Sequence, residues 1–326
     1  MKRPEIICPA GTPESFKAAV DAGADGVYFG FKNAGNARNF PGLNFSLDEA
    51  QQMISYAKNK NRKTFVAINS FAQAGRESLA KKSIDDAVAL GVSAIILADI
   101  GLLDYASKKY PDFSKHLSVQ ASASSAAAVN FFQREFGIKR VVLPRVLSFD
   151  EIKKIKENSS VEIEIFGFGG LCVMAEGRCS LSSYSAGKSP NINGVCSPAE
   201  RVNYEYVGEK LNFRLGKFVI NEFAQNQPAC YPTTCKGCYS VGGEKKYIFE
   251  NPVSLNLIGE MDKIFASGID AIKIEGRQRG KSYVGNIAAA FRKAVDSYPN
   301  KIAPADLSEF MEGGEGTVGA YLREWC

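Results

Sequence analysis

Apolar residues along this chain gather in short runs, and one signature introduces four of them: a helical stretch ends at Gly, two residues follow, and a β-rich run begins. It occurs at Gly23-Ala-Asp-Gly-Val-Tyr-Phe, Gly91-Val-Ser-Ala-Ile-Ile-Leu, Gly137-Ile-Lys-Arg-Val-Val-Leu and Gly268-Ile-Asp-Ala-Ile-Lys-Ile. Glycine takes the left-handed backbone that stops a helix, and a near-continuous apolar strand suits a sheet covered on both faces. Filling in the intervals predicts strands near 4–8, 26–30, 64–68, 94–98, 117–120, 140–143, 162–166 and 271–275. Helices separate most of them, with start signals at Thr12-Pro13 and in the capping boxes Ser46-x-x-Glu49 and Ser148-x-x-Glu151. The expected fold is α/β, a (β/α)8 TIM-like barrel over residues 1–302, with an open doubly wound sheet as the alternative.

The interval between strands seven and eight, about residues 167–250, is too long for a βα loop and predicts an insertion. It opens Gly-rich, contains an alternating stretch from Tyr204 to Ile220 that reads as antiparallel strands, and carries six of the eight cysteines. Residues 303–326 form a tail with no evident role.

Composition narrows the chemistry. The 45% hydrophobic and 23% charged residues suit a globular protein with a closed core. The net charge of +5 comes from Lys and Arg scattered among acids, which gives no indication of DNA binding. No stretch reads as a signal peptide or transmembrane span, since the most apolar run, Val88 to Leu103, is broken by Asp99. The expected location is the cytoplasm. In that reducing compartment, clustered cysteines read as metal-binding or catalytic instead of disulfide-forming. With His116 as the single histidine, a His-x3-His zinc site cannot be built, and any Ser-His or Cys-His hydrolase would have to use this residue.

Cys172 and Cys179 stand two helical turns apart if their segment is helical, and Cys196 and Cys235 come from separate loops. Four thiolates commonly hold an iron–sulfur cubane, whereas structural zinc shows two short Cys knuckles, of which only Cys235-x2-Cys238 resembles one. Spacing alone leaves iron–sulfur, zinc and unrelated buried thiols open. Cys8, Cys230 and Cys326 read as ordinary thiols.

The run from Glu164 to Ser182, Glu-Ile-Phe-Gly-Phe-Gly-Gly-Leu-Cys-Val-Met-Ala-Glu-Gly-Arg-Cys-Ser-Leu-Ser, resembles the signature of the collagenase-like (U32) peptidases, with Gly170 in place of the usual Ser or Ala. The spacing C-x6-C-x16-C-x38-C resembles one branch of that family, the oxygen-independent ubiquinone biosynthesis proteins. Asn193-Gly-Val-Cys196-Ser-Pro, Pro232-Thr-Thr-Cys235-Lys-Gly, the run from Ala37 to Phe45 and Lys273-Ile-Glu-Gly-Arg277 share that likeness, which spans about residues 5–300. The resemblance implies a 4Fe-4S cluster on Cys172, Cys179, Cys196 and Cys235. It further implies a heterodimer with a second, UbiV-like iron–sulfur protein and hydroxylation of a ubiquinone precursor without dioxygen. Prephenate as oxygen donor and a lipid-carrier accessory protein belong to the same expectation. Hydroxylation of a tRNA base, and a non-catalytic redox or scaffold role, are the alternatives. Proteolysis is disfavoured, because a Ser or Cys nucleophile would lack an obvious base.

In such barrels the functional groups come from the C-terminal ends of the strands. Those ends offer Asn69, Asp99, Gln120, Arg145, Glu275 and Arg277, with Arg38 and Asn39 from the second loop. Arg38, Asn69, Gln120, Arg145, Glu275 and Arg277 are the expected substrate contacts, although Asp99 and Gln120 could merely cap helices or loops and Glu275 with Arg277 could be a structural ion pair. Arginines would suit a carboxylate on the precursor or the oxygen donor. Phe29, Phe31, Phe40 and Phe45 could line a site for an apolar precursor or fill the core, and His116 reads as packing.

Overall fold

The computed structural model describes residues 2–32, 42–177, 179–190, 196–225, 227, 230–300 and 302–323. Seven parallel strands come first: β1 (Glu5–Pro9), β2 (Gly26–Phe29), β3 (Lys63–Ile68), β4 (Ala94–Leu97), β5 (Lys115–Leu117), β6 (Arg140–Val142) and β7 (Glu162–Gly170). Between them run α1 (Pro13–Asp21), α2 (Leu47–Asn59), α3 (Glu77–Ala89), α4 (Ile100–Lys109), α5 (Ala126–Phe136) and α6 (Phe149–Glu157). The short α7 (Leu181–Ala186) then precedes β8 (Val202–Val207), β9 (Lys210–Leu215) and β10 (Phe218–Ala224), an antiparallel sheet. β11 (Cys238–Val241) and β12 (Glu244–Tyr247) form a hairpin. After β13 (Ser254–Asn256) and α8 (Met261–Ala266), β14 (Ala271–Ile274) pairs in parallel with both β7 and β1. Those two pairings close an eight-stranded parallel TIM-like barrel, so the open sheet is excluded. α9 (Lys281–Ser297) covers the closure, and β15 (Gly316–Thr317) pairs with β13 on the barrel's flank.

The local chemistry acts as expected. Gly23, Gly91, Gly137 and Gly268 hold φ values of 94°, 68°, 62° and 67°, where a side chain would be strained. Thr12, Ser46 and Ser148 each accept a backbone N–H at a helix start within a capping box.

Strand alternation divides the interior in two. Outward residues such as Ile6, Val27, Val66 and Ile95 join Phe16, Phe29, Phe31, Phe45 and Phe291 in a core between barrel and helices. The Phe29, Phe31 and Phe45 rings pack on one another there, so they are core and not a precursor site; Phe40 lies outside the described residues. Inward residues Ile7, Tyr28, Phe65, Ala94, Ile96 and Ala271 form a smaller cluster inside the barrel.

Where most barrels place branched apolar residues, this one adds a charged layer. Arg140 donates to Glu5 (2.8 Å), Glu162 (2.6 Å) and Glu164 (3.2 Å), and Lys273 donates to Glu164 (2.6 Å). These cations hold the Glu164 carboxyl down at about 2 despite its burial. His116 sits within β5 and packs on Phe65 (ring centroids 5.1 Å apart), not just before the strand as expected. Burial beside Arg140 pushes its imidazole down to about 3, so it stays neutral.

Candidate functional site

The Gly-rich end of β7 turns the chain out of the barrel at Gly169 and Gly170, and the cysteine-bearing segment begins there. The condition under which Cys172 and Cys179 would stand two helical turns apart is not met: the described residues 172–177 run as loop and turn. Side-chain contacts explain the difference: Arg145 at the end of strand six draws Glu176 inward to 2.6 Å, and the Ser122 hydroxyl donates to the Glu176 carbonyl. Gly177, at φ 82°, passes so close to Gln120 that an added Cβ would lie 2.1 Å from its carbonyl oxygen.

That loop, α7, the segment at Cys196 and the turn at Cys235 enclose a cavity of about 120 Å3 lined by Cys172, Cys179, Cys196 and Cys235. Cys172 neighbours Cys196 electrostatically, and Cys235 neighbours Cys179. Burial raises the Cys172 and Cys235 thiols above the usual range, so metal uptake would release protons. Arg145, Lys236 and Arg279 line the same space and supply positive charge for thiolates. Cys238 opens β11 with its N–H donating to Asn221 (3.0 Å), and Cys230 is buried beside the same asparagine.

Among the described residues, no three His, Cys, Asp or Glu side chains are drawn tightly enough together to share one ion. A single zinc needs every sulfur about 2.3 Å from one centre. A cubane offers four separate irons, each taking its own thiolate, so cysteines spread around a cavity wall fit a cluster better than a lone ion.

Directly beneath lies a polar cavity of about 70 Å3 in the barrel mouth. Asn69, Gln120, Arg145, Glu275 and Arg277, five of the expected contacts, all line it, together with Tyr28, Ser118, Glu176, Lys273 and Gln278. Arg38 lies outside the described residues. Asp99 instead caps α4, accepting from Leu102 (3.0 Å) and Ala72 (3.2 Å). Glu275 accepts from the Gly170 N–H (2.7 Å) and faces Arg145 at 3.6 Å. Arg145 is 5% exposed and stacks 3.5 Å over Phe166, and its position against three cavity walls makes it the hinge of the site. Four buried atoms here have no hydrogen-bond partner among the described residues: Asn69 Oδ1, Gln120 Oε1, Glu176 Oε2 and Arg145 Nε. Buried polar atoms left unpaired cost about 1–3 kcal/mol each, so their concentration at one cavity marks a place for a polar ligand. The lysine ammonium of Lys273 lies 3.8 Å over the Tyr28 ring, and burial lowers its pKa.

Residues 11–314 match the sequence model of peptidase family U32. The chain belongs to that family. Among its U32 relatives and neighbours, it is 33% identical over 302 residues to tRNA hydroxylation protein P1 of Bacillus subtilis, covering 91% of this chain and 64% of the relative. It is 30% identical over 350 residues to tRNA hydroxylation protein P of Escherichia coli, covering 99% and 75%. A solved U32 peptidase overlays with a TM-score of 0.41 at 20% identity, over 51% of this chain and 69% of that one. This U32 chain thus spans about two thirds of the length of the curated relatives it matches. Its only histidine, His116, packs on Phe65 inside the barrel and lines neither the cysteine cavity nor the polar cavity.

Glu176, Tyr28, Lys273 and Gln278 were not expected at the site. Lys273 had a legible signal, since in Ala271-Ile-Lys-Ile-Glu275 the charged residues fall on alternate, inward positions of a strand covered on both faces.

Proposed function

We propose that this chain hydroxylates an aromatic ring without dioxygen, with the ring held in the barrel mouth beneath the four cysteines. The observation that carries the reading is the stacking of two compartments, a four-cysteine cavity over a polar cavity, joined through Arg145. Cys172, Cys179, Cys196 and Cys235 would hold a 4Fe-4S cluster, which supplies one-electron transfer beside the bound substrate. Arg145 and Arg277 bind and orient a carboxylate on the substrate or on the oxygen donor. Asn69 and Gln120, by their unpaired carbonyl oxygens, accept hydrogen bonds from ring or donor hydroxyls. Glu176 and Glu275 hold the Arg145 guanidinium in place. The Leu171 and Phe166 side chains exclude water from the junction.

The substrate we assign first is a ubiquinone precursor, supported by the cysteine spacing and the Ala37–Phe45 and Lys273–Arg277 motifs. With it go a UbiV-like cluster protein as second subunit and prephenate as oxygen donor. A second reading, hydroxylation of a tRNA base, is favoured by what the Bacillus and Escherichia relatives are called. Quinone and tRNA-nucleoside profiles of an anaerobically grown deletion strain separate the two. Accumulated unhydroxylated quinone precursor is the expected result; normal quinone with a missing hydroxylated nucleoside would transfer the assignment to RNA.

A further inference from the structure

A third cavity, a groove of about 480 Å3, runs from the surface to the back of the cysteine site. Its inner end is formed by Arg145, Leu171, Cys172 and Met174, the same residues that line the cysteine cavity from the other side. Between that end and a Glu250–Arg323 ion pair at the mouth (3.3 Å), the described wall side chains are apolar: Val146, Val173, Ile248, Phe249 and Ala320. Ile248 and Phe249 leave 52% and 46% of their surface open, a cost that burying an apolar ligand would remove.

We propose that this groove receives the isoprenoid tail of a prenylated aromatic substrate, whose ring lies against Arg145. The inference rests on the ring-hydroxylation reading and narrows it. Two features select this occupant. Apart from Arg145 and Cys172 at the inner end and the Glu250–Arg323 ion pair, which is already satisfied internally, the groove's lining side chains are apolar, which suits a hydrocarbon chain better than a nucleotide or a peptide backbone. It ends on Arg145, a buried cation whose Nε has no partner, so a ligand with one polar aromatic end and a long apolar end satisfies both extremes. The sizes agree with that division, since the polar cavity of about 70 Å3 suits a ring and the groove is several times larger. The C-terminal segment at Gly319 and Ala320 thereby gains a purpose as a wall of the tail site.

The test is equilibrium dialysis of the anaerobically purified, cluster-loaded chain against 2-farnesylphenol and tail-free 2-methylphenol. The farnesyl compound is expected to bind at least about tenfold more tightly. Phe249→Asp and, as a second reporter, Ile248→Asp change half-exposed rim positions and should leave melting unchanged. Each should weaken farnesylphenol by about tenfold without altering 2-methylphenol, and Phe249→Leu should restore binding. Equal affinity for the two phenols overturns the proposal. So does undiminished farnesylphenol binding in both Asp variants, which would assign the exposed pair to another occupant such as a docked protein. Failure of the underlying reading shows separately, as a deletion strain with a normal quinone profile.

Discussion

Replacing Arg145 with Met tests whether one buried cation organises the site. The methionine roughly keeps the aliphatic volume and the contact with Phe166 but deletes the charge that Glu176 meets at 2.6 Å and Glu275 at 3.6 Å. Glu176 is buried and its second oxygen already lacks a partner, so it cannot recover its loss from solvent. Glu275 keeps the Gly170 N–H at 2.7 Å and is the less exposed to penalty of the two. Removing one partner of a buried ion pair costs about 3–5 kcal/mol. For a chain of this size that lowers the melting temperature by roughly 4–7 °C.

The double variant Arg145→Met with Glu176→Gln distinguishes stranded charge from lost packing. It no longer buries an unpaired carboxylate at position 176, so its cost should fall below the sum of the two single changes by about 1–3 kcal/mol. Thermal denaturation of the four proteins, followed by far-ultraviolet circular dichroism under anaerobic conditions, completes the cycle. Strict additivity, or an Arg145→Met protein melting within about 2 °C of the parent, would refute the assignment of Arg145 as the electrostatic keystone.

Three further outcomes follow from the same geometry. Cys→Ala at 172, 179, 196 or 235 should each abolish the iron and sulfide content of anaerobically purified protein, whereas Cys238→Ala and Cys230→Ala, outside the cavity lining, should retain it. His116 is held neutral with its pKa lowered from 6.5 to about 3, so protons favour the unfolded chain, and stability present above about pH 6.5 is lost as pH falls toward 3. Urea titrations should therefore show the His116→Gln protein losing about 2 kcal/mol less than the parent between about pH 8 and pH 5. Gly177→Ala would put a methyl 2.1 Å from the Gln120 carbonyl at a φ of 82°, and should cost at least about 1 kcal/mol and reduce cluster content, measured by melting and iron analysis.

The barrel was legible because its cues are local. A helix, a left-handed glycine and an apolar strand occur within about a dozen residues, and each repeat reports itself without reference to the others. The second capping box and the fourth glycine stop add agreement, not new information. What the pattern concealed was polarity inside the barrel. Reading strands seven and eight for their apolar residues overlooked Glu162, Glu164 and Lys273, whose every-second-residue spacing on a doubly covered sheet directs charge inward.

The site was legible in its residue types but not in its partnerships, and the two kinds of knowledge have different physical origins. Strand ends announce Asn69, Gln120, Arg145, Glu275 and Arg277 because barrel topology places any such end at the mouth. Glu176 carries no such mark, and read locally it is an acid in a possible helix between two cysteines. Only its pairing with Arg145, 31 positions earlier, removes that segment from a helix and turns it into the loop that joins cysteine cavity to barrel mouth. A contact of this kind is set by tertiary pairing, since Arg145 and Glu176 are brought together where β6 lies beside β7, and Glu275 joins them only when β14 pairs with β7. The local sequence therefore identifies the donors, while the global fold decides which carboxylate each cation meets.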